Sequence, residues 1–416
     1  MSKKIHIIGG GIIGLSSAWY LNEAGFAVTL IDKTGLEEGT SHGNAGMVVP
    51  SHFVPLATPG VITQGLRWLL DKKSPFYIKP RLSLELAQWL WQFYRSCTPG
   101  QVKAAMPVLK AFNEYSKQQY QAFAKNPDFD FCFEEKGLLM LYKTTLAQQE
   151  EIEMAEKAHE LGMEARILDR QQVQELETGT RIDALGGIFY PGDAHLYPNR
   201  FMQQLSHHLQ AKGVVFMRGK SVSDLETSGG KVHHLHLSDG QRLPCEEVLL
   251  AAGSWTARVA KKAGVKLLLQ DGKGYSTTLK NPAQRPSIPT LLAEARVAVT
   301  PMGNDLRIGG TLEISNLSTN ISKSRVQGIV ESIPDYYPDL NLDYPERERI
   351  WHGFRPCTPD GLPYLGYSST CSNLFVATGH AMMGMSLGPG TGKLVADMMQ
   401  GKPTEVPVGL FQVDRF

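Results

Sequence analysis

The segment Ile5-His6-Ile7-Ile8-Gly9-Gly10-Gly11-Ile12-Ile13-Gly14 decides the fold of this 416-residue chain. Four residues with strand-forming character precede a G-x-G-x-x-G turn, and apolar residues then recur at helical spacing until Gly25. A second apolar strand, Ala27–Ile31, follows and ends at Asp32. This order of strand, turn, helix and strand predicts a β-α-β unit of a parallel sheet with a right-handed crossover.

A glycine is required at each of these three positions of the turn for a different physical reason. Gly9 permits the tight turn, Gly11 lets the main chain approach a pyrophosphate, and Gly14 lets the helix pack on the strand. The first N–H groups of the helix are unpaired and lie at the positive end of its dipole. Asp32 is placed where a carboxylate binds ribose hydroxyls. The segment therefore predicts a dinucleotide site, and an aspartate at this position serves either FAD or NAD.

Three further segments favour a flavin over a nicotinamide. A loop of small and hydroxyl residues, 39–47, comes soon after the second strand and suits close approach of the main chain to phosphate and ring. A strand with a glycine end, 248–255, and a glycine-rich turn before a helix, 379–392, lie far downstream. A large cofactor held across one sheet needs contacts from segments this far apart in sequence.

Composition and charge exclude several classes of function. The chain has 42 basic and 41 acidic residues, so nothing indicates a nucleic-acid partner. Its five cysteines include no C-x-x-C pair, which argues against both a zinc site and a disulfide framework. The start of the chain shows no signal-peptide pattern, and no apolar run reaches the length of a bilayer span. We therefore expect a cytoplasmic protein with reduced thiols.

The rest of the chain shows two different sequence patterns. Residues 80–125 and 145–180 show helical spacing, whereas residues 220–345 consist of short alternating runs separated by turns, which is typical of antiparallel hairpins. The predicted fold class is α/β, with a Rossmann-type FAD-binding domain around a parallel sheet and a second domain with an antiparallel sheet and helices. We assign residues 1–50, 180–255 and 346–416 to the discontinuous FAD-binding domain, and residues 51–179 and 256–345 to the substrate domain.

One segment, residues 61–95, combines aromatic and basic side chains. It includes Trp68, Leu69, Leu70, Trp89, Leu90, Trp91 and Phe93 together with Lys72, Lys73, Lys79 and Arg81. Such a stretch can lie on a membrane interface. Packing of the same face on its own domain is the alternative, so peripheral contact with the inner face of the membrane stays open.

Five ordered motifs together resemble the D-amino acid oxidase fold family, which includes glycine oxidase, sarcosine oxidase and the bacterial D-amino acid dehydrogenases. They are the N-terminal G-x-G-x-x-G, the T-S-…-N-A-G-M loop, A-A-G-S-W at 251–255, R-P-C-T-P-D-G at 355–361 and the closing G-H-…-G-…-P-x-T-G. The segment Ser74-Pro75-Phe76-Tyr77-Ile78 is most similar to the dehydrogenase branch. The resemblance spans nearly the whole chain.

The resemblance implies a set of cofactor contacts. Ile12 and Ile13 would lie at the pyrophosphate, and Asp32 and Lys33 near the adenosine ribose. The other residues that the resemblance places at the cofactor, together with the turn glycines, are Gly9, Gly11, Gly14, Thr40, Ser41, Ala45, Gly46, Met47, Val222, Gly253, His380, Met383, Gly384, Met385 and Ser386.

For the substrate, the family places a carboxylate-binding arginine where Arg355 begins R-P-x-x-x-D-G. A planar guanidinium binds a carboxylate through two parallel charge-assisted hydrogen bonds. The alternative is an arginine that ties two loops together. Tyr275 is a candidate second carboxylate donor, and His52 either lines the pocket or lies on the surface. We assign no general base, because orientation by an arginine clamp supplies much of the catalysis.

Two positions depart from relatives within the family. Sarcosine oxidases tether their flavin through a cysteine at the position of Phe354, so we expect non-covalent FAD here. Cys357 is then a small buried residue. Glycine oxidase carries a polar substrate contact where this chain has Met382, so its substrate preference does not transfer.

The resemblance implies hydride transfer from the α-carbon of an amino acid to FAD, with electrons passed to a quinone or another electron carrier. We expect a D-amino or cyclic D-imino acid with an uncharged side chain, of the D-proline or 4-hydroxy-D-proline type. The methionines at 47, 382, 383 and 385, with Val48, Val49 and Phe53, predict an apolar pocket wall. An oxidase of the glycine or sarcosine type that uses oxygen, a nicotinamide enzyme and a non-catalytic flavin-binding module are the alternatives.

Overall fold

The computed structural model describes residues 2–36, 38–61, 76–79, 81–340 and 342–416. The strands are β1 (Lys4–Ile8), β2 (Ala27–Asp32), β3 (Met47–Val48), β4 (Phe76–Ile78), β5 (Leu138–Tyr142), β6 (Arg166–Asp169), β7 (Gly186–Tyr190), β8 (Ala194–His195), β9 (Val215–Arg218), β10 (Val222–Ser228), β11 (Lys231–Leu237), β12 (Arg242–Pro244), β13 (Glu247–Leu250), β14 (Gln270–Leu279), β15 (Thr290–Leu292), β16 (Val297–Met302), β17 (Asp305–Ser315), β18 (Trp351–Cys357), β19 (Tyr364–Tyr367) and β20 (Leu374–Thr378). The helices are α1 (Ile12–Glu23), α2 (Leu84–Ser96), α3 (Pro99–Lys125), α4 (Thr145–Glu160), α5 (Arg170–Leu176), α6 (Pro198–Ala211), α7 (Thr256–Lys262), α8 (Lys323–Tyr336) and α9 (Gly388–Met399).

The first sheet is the predicted parallel sheet. Its strand order is β19-β20-β13-β1-β2-β9, and only the pair β19–β20 is antiparallel. Its main core also contains buried residues of α1, α3, α6 and α9. The β-α-β prediction for the start of the chain is confirmed, and the carboxyl ends of β1, β2 and β13 meet at one edge, where such sheets bind ligands.

The second sheet has nine strands in the order β18-β14-β17-β16-β15-β5-β7-β6, with β4 paired to β17. Most of its pairs are antiparallel, as the alternating runs of residues 220–345 predict. The strands β10, β11 and β12 form a small antiparallel sheet of their own. Together the sheets give the mixed α/β architecture that the sequence predicts.

The predicted boundaries differ from sheet membership in several places. Both β7 and β18 belong to the nine-stranded sheet, although they fall in ranges assigned to the FAD-binding domain. Helix α3 packs on the core of the parallel sheet, although its residues were assigned to the substrate domain. The stretch 80–125 is two helices, because Thr98 and Pro99 cap and begin a new one, and 145–180 is interrupted by β6. The domain division itself stays a prediction.

The amphipathic stretch is only partly described. Trp68, Leu69, Leu70, Lys72 and Lys73 lie outside the described residues, as do Ser74 and Pro75. Helix α2 buries Trp89, whose indole N–H donates to the carbonyl of Cys357 at 2.9 Å. In the part of the chain that the structure describes, no helix combines the length and hydropathy needed to cross a membrane.

Helix α9 packs against α1 at a point where there is no room for a side chain. A Cβ added to Gly392 would lie 2.4 Å from the main-chain carbon of Ser16. Overpacking of this kind usually costs about 1–3 kcal/mol, because backbone must shift to relieve it.

We expect Gly392→Ala to lower the free energy of unfolding by about 1–3 kcal/mol. Denaturant unfolding with saturating FAD, which keeps ligand stabilisation equal, measures it. The control is Gly100→Ala in α3, where an added Cβ meets nothing within 4 Å. A Gly392→Ala protein as stable as the control would contradict the tight α1–α9 contact.

Candidate active site

One continuous cavity of about 2130 Å³ runs between the two large sheets. It is bordered by the glycine turn and the end of β2 on one side, and by β14, β17 and β18 on the other. Ligand pockets in proteins commonly measure about 300–1,000 Å³. This cavity therefore has room for a dinucleotide and a small substrate together.

The glycine turn behaves as its spacing predicts. Gly9 has a φ of 111°, and a Cβ on Gly14 would lie 1.8 Å from the carbonyl oxygen of Gly9. Gly11 faces the cavity, since the only atom near an added Cβ is Oγ of Ser41 at 3.4 Å. Helix α1 has no acidic residue in its first turn and no side-chain cap. The positive end of α1 therefore points into open space that suits an anionic pyrophosphate.

Asp32 ends β2 at the cavity wall and organises the turn beside it. One carboxylate oxygen accepts from the main-chain N–H of Gly10 at 2.6 Å, and the other accepts from N and Oγ1 of Thr34 at 2.7 Å each. The ammonium of Lys33 lies 3.2 Å from the ring centroid of Trp255, and burial lowers the Lys33 pKa. These contacts shape the predicted ribose end of the cavity.

The loop of residues 39–47, which we call the ring loop, is hydrogen-bonded to helix α1 and to the nine-stranded sheet. Ser41 accepts from the N–H of Ile12 at 3.0 Å, next to the glycine turn. Thr40 accepts from the N–H of Phe354 at 3.2 Å and donates to its carbonyl at 3.3 Å. Gly46 has a φ of 71° and turns the chain into β3. The small residues of this loop thus bring its backbone to the cavity wall.

Arg307 on β17 holds the same loop, and our sequence interpretation missed it. Its Nη1 donates to the carbonyls of His42 and Asn44 at 2.8 Å each, and its Nη2 donates to the side chain of Asn199. The guanidinium is buried, which lowers its pKa to about 10. A lone arginine in the apolar strand Asp305–Ser315 was the signal that could have identified it.

The third predicted segment closes the far side of the cavity. Residues 381–384 form a 3-10 turn, and the carbonyl of His380 accepts from the N–H of Met383 at 2.8 Å. The imidazole of His380 is buried against the hydroxyl of Thr391 at 3.0 Å, and burial lowers its pKa to about 3. His380 is therefore neutral and orients this turn toward the cavity.

Most predicted cofactor residues line this one cavity. They are Gly9, Gly11, Ile12, Ile13, Asp32, Lys33, Thr40, Ser41, Ala45, Met47, Val222, Gly253, His380, Met383, Gly384, Met385 and Ser386. Gly14 and Gly46 do not line it, and they act through the backbone turns described above. The sequence interpretation places Val222 in the strand that directly follows Gly213. In the structure that strand is β9, and Val222 lies at the start of the next one, β10.

Arg355 projects into the cavity from β18. Strand β18 pairs with β14 so that Arg355 faces Gly272 and Gly353 faces Gly274. Side chains alternate along a strand, so the guanidinium shares its face with two glycines of β14. It lies over Gly274, where an added Cβ would come within 2.4 Å of both terminal nitrogens. The missing side chain at Gly274 therefore makes the space that the Arg355 guanidinium occupies.

The hydrogen bonds of Arg355 leave its positive charge uncompensated. Its Nη1 donates to the carbonyl of Thr311 at 2.5 Å, and it forms no ion pair with any carboxylate among the described residues. Burial lowers its pKa, which reflects the cost of holding this charge away from water. A half-buried guanidinium with spare donors in a cavity is suited to an anionic ligand group.

The geometry does not support the predicted role of Tyr275. It pairs with His352 and Gly310, so its side chain lies on the opposite face of β14 from Arg355. Its hydroxyl donates to Glu313 at 3.3 Å and accepts from the N–H of Ser322 at 3.2 Å. Burial raises its pKa to about 12. Tyr275 lines the cavity through its position in the strand, and its hydroxyl is engaged elsewhere.

His52 lies in the cavity wall, which decides between the two locations left open by the sequence. Burial lowers its pKa to about 4, with a smaller contribution from the positive charge of Arg296. Val48 and Phe53, predicted beside it at the ring, are fully buried in the core and do not line the cavity. Val49 and Val54 take those places.

Trp351 is a second cavity residue that our interpretation missed. An added Cβ on Gly43 would lie 1.9 Å from its indole ring, and one on Gly353 would lie 2.1 Å from it. The indole is therefore fitted between the ring loop and β18. Cys357, two residues past Arg355, is buried as predicted, and burial raises its thiol pKa to about 12.

Taken together, the cavity fits a dinucleotide. A glycine cradle, a helix N-terminus and a carboxylate at the end of β2 lie along one wall. The described residues contain no group of three or more histidine, cysteine or acidic side chains that could hold a metal.

Comparison with known proteins agrees with this geometry. Residues 4–398 match the family described as FAD dependent oxidoreductase. A D-amino acid dehydrogenase from Bradyrhizobium diazoefficiens is 32% identical over 428 residues, which cover 99% of each chain. Glycine oxidase from Bacillus cereus superposes with a TM-score of 0.76 at 20% identity over 100% of this chain and 99% of its own. L-proline dehydrogenase from P. horikoshii does so with a TM-score of 0.72 at 17% identity over 100% and 95%.

We expect Gly11→Val to fold normally and to weaken FAD binding at least tenfold, because its side chain would fill the space open to the pyrophosphate. The backbone φ of −71° at this position accepts a valine without strain. FAD content is measured from the yellow supernatant after acid precipitation, which also tests whether the flavin is non-covalent.

The matched control for this experiment is Gly35→Val in the exposed loop after β2, where an added Cβ meets nothing within 4 Å. Equal FAD content in the two variants would contradict the assignment of the cradle. Colour retained in the precipitate would contradict non-covalent binding.

Proposed function

This chain belongs to the FAD-dependent oxidoreductases, and from that premise we propose that it is a dehydrogenase of a D-amino or cyclic D-imino acid. The full-length similarity to the D-amino acid dehydrogenase described above supports this substrate class. The D configuration rests on that similarity alone, because the fold is shared with an L-proline dehydrogenase.

The observation that carries the proposal is the unpaired guanidinium of Arg355. An α-amino or imino acid presents a carboxylate, and a planar guanidinium can bind it with two parallel hydrogen bonds. The bond from Arg355 to Thr311 uses Nη1 and fixes the plane of the fork. Substrate binding would then neutralise a half-buried charge, so affinity and orientation arise from the same contact.

When held by the glycine turn and the ring loop, FAD would supply the hydride acceptor, so that oxidation at the substrate α-carbon would leave an imine. The protein's part is to orient that carbon through Arg355 and to keep bulk water away from the reacting atoms. Released imine hydrolyses in water to a keto acid and ammonia, whereas a cyclic imino acid would stop at the ring imine.

The wall around the substrate end favours an uncharged side chain. Methionine side chains contribute much of it, and those lining the cavity are Met47, Met140, Met154, Met382, Met383 and Met385. Methionine forms an adaptable apolar surface, and an unpaired charge buried against it would cost several kcal/mol. A compact ring such as D-proline or 4-hydroxy-D-proline fits this environment, and it is the substrate type that we propose.

We expect Arg355→Ala to keep its FAD and to lose about 10²-fold or more in kcat/KM, which corresponds to about 3 kcal/mol. Arg355→Lys should recover this only in part, because an ammonium lacks the planar fork. Steady-state kinetics with a dye acceptor measures both. Arg242→Ala, which removes an exposed arginine paired with Glu226, is the control, and kinetics of Arg355→Ala close to that control would contradict the clamp.

A panel of enantiomer pairs tests the substrate class. Under anaerobic rapid mixing, D-proline, 4-hydroxy-D-proline and D-alanine should bleach the flavin faster than their mirror images, and faster than D-arginine or D-glutamate. Faster reduction by L-proline or L-alanine would contradict the configuration. D-arginine as the best substrate would contradict the apolar wall, and no bleaching by any amino acid would favour a non-catalytic flavin module.

We further propose a quinone or another electron carrier as the acceptor, with peripheral contact at the inner face of a membrane. Helix α2 exposes Leu84, Trp91 and Tyr94 by 75%, 60% and 62%, which is unusual for apolar side chains of this size. Tyr94 and Leu90 of the same helix also line the cavity. A membrane-facing surface would thus adjoin the redox site.

The double variant Leu84→Ser and Trp91→Ser should lose most binding to anionic lipid vesicles and most reduction of a vesicle-borne quinone, while dye reduction is unchanged, because neither residue lines the cavity. Leu146→Ser, which removes an equally exposed leucine from α4, is the control. Wild-type protein that stays in the supernatant of vesicle sedimentation would contradict membrane contact. Stoichiometric peroxide under air would favour the oxidase alternative.

A further inference from the structure

A buried carboxylate that forms no ion pair with a described residue lies behind the cavity wall. Asp193, between β7 and β8, is 0% exposed, and it forms no ion pair within the described residues. Its Oδ1 accepts from the N–H of Ser51 at 3.0 Å, and its Oδ2 accepts from the hydroxyl of Ser51 at 2.5 Å. An ionised carboxylate is costly to bury without a cation, so this position calls for a reason beyond packing.

The next residue, His52, extends this contact to the cavity. Its Nδ1 lies 3.2 Å from Oγ of Ser51. The hydroxyl has a single hydrogen, which is donated to Asp193, so the bond to His52 forms only if Nδ1–H is the donor. The tautomer is thereby set, and Nε2 keeps its lone pair. Nε2 forms no hydrogen bond with a described residue, and His52 lines the same cavity as Arg355.

We propose that His52, Ser51 and Asp193 form a relay that accepts a proton from the protonated substrate nitrogen before hydride transfer. That nitrogen is the α-ammonium of an amino acid or the protonated ring nitrogen of a cyclic imino acid. The inference rests on the amino acid oxidation proposed above and adds a proton acceptor to it. His52 would be the catalytic residue that touches the substrate, and Ser51 and Asp193 would act through it.

The transfer balances without any further reactant. The substrate N–H bond breaks as the Nε2–H bond forms, and the Nδ1–H proton passes to Oγ of Ser51. The original Ser51 proton passes to Oδ2 of Asp193. No electron pair leaves the relay, and the end state has a neutral substrate nitrogen and a neutral Asp193. The lone pair on that nitrogen can then support loss of hydride from the α-carbon.

The surrounding charges favour storage of the proton on Asp193 over His52. Burial raises the Asp193 pKa to about 7, although the two hydrogen bonds from Ser51 and then the ammonium of Lys117 on α3 act to lower it. Burial and the charge of Arg296 lower the His52 pKa to about 4. Tyr190 on β7 is the other titratable group near Asp193, and its own raised pKa keeps it neutral. His52 therefore passes the proton on.

The test is the pH dependence of kcat/KM for D-proline in Ser51→Ala and Asp193→Asn. In the wild type, kcat/KM should hold down to about pH 7 and fall below it, as Asp193 becomes protonated. In both variants kcat/KM should fall as soon as the pH drops below the pKa of the free substrate amine. Near pH 7.5 the loss relative to the wild type is then about 10²-fold, the scale of one acid–base contribution. At high pH, where free substrate is already neutral at nitrogen, all three proteins should converge.

A role in packing alone would lower kcat/KM equally at every pH, and that result would overturn the relay. Ser332→Ala, which removes another buried hydroxyl from a local main-chain contact on α8, is the matched control and should leave the profile unchanged.

A second measurement separates the relay from the substrate assignment. The ¹⁵N shifts of His52 in the FAD-bound protein, assigned by comparison with His52→Gln, should show a protonated Nδ1 that is lost in Ser51→Ala. If no amino acid bleaches the flavin, the proposed function fails, and these shifts still decide the hydrogen-bond relay. A wild-type His52 protonated on Nε2 would overturn the relay even in an active enzyme. This measurement is made on the wild type, so its outcome does not depend on whether Asp193→Asn folds.

Discussion

The ring loop is the constraint on which the site depends, because it is hydrogen-bonded both to the helix that follows the glycine turn and to the nine-stranded sheet. Ser41 bonds to the start of α1, Thr40 bonds to β18, and Arg307 binds two carbonyls of the loop from β17. The loop then runs through β3 into the segment that carries Ser51 and His52. One stretch of backbone therefore positions the glycine cradle, the arginine strand and the proposed proton acceptor relative to one another.

Within the nine-stranded sheet, the alternation of side chains along β14 separates two kinds of chemistry. On the cavity face, Gly274 leaves space that the guanidinium of Arg355 fills. On the opposite face, Lys273 and Tyr275 are buried against Glu313 and the region of α8. The sheet thus keeps its buried carboxylate away from Arg355, which leaves the charge of that arginine available to a ligand.

Local patterns predicted the parts of the site that local geometry determines. The turn from Gly9 to Gly14 and the cavity position of Arg355 follow from motifs that are short in sequence. The pairing of β14 with β17 shifts register between Lys273 and Tyr275, opposite Thr311 with its φ of 70°. The position of Tyr275 relative to β17 depends on this bulge, which no residue pattern revealed. Val48 and Phe53 were predicted at the ring but point into the core. The pairing of Ser51 with Asp193 joins residues 142 positions apart, so only the folded chain shows it.

Our central claim is that the half-buried, unpaired guanidinium of Arg355 binds a substrate carboxylate. A crystal structure of the FAD-bound protein with pyrrole-2-carboxylate, a planar analogue of proline that cannot lose hydride from the ring carbon, tests this most directly. We predict a bidentate contact between the carboxylate of the analogue and Arg355. The guanidinium should stay bonded to Thr311, and the ring nitrogen should face His52. A carboxylate bound elsewhere in the cavity, with the free donors of Arg355 unused, would contradict it.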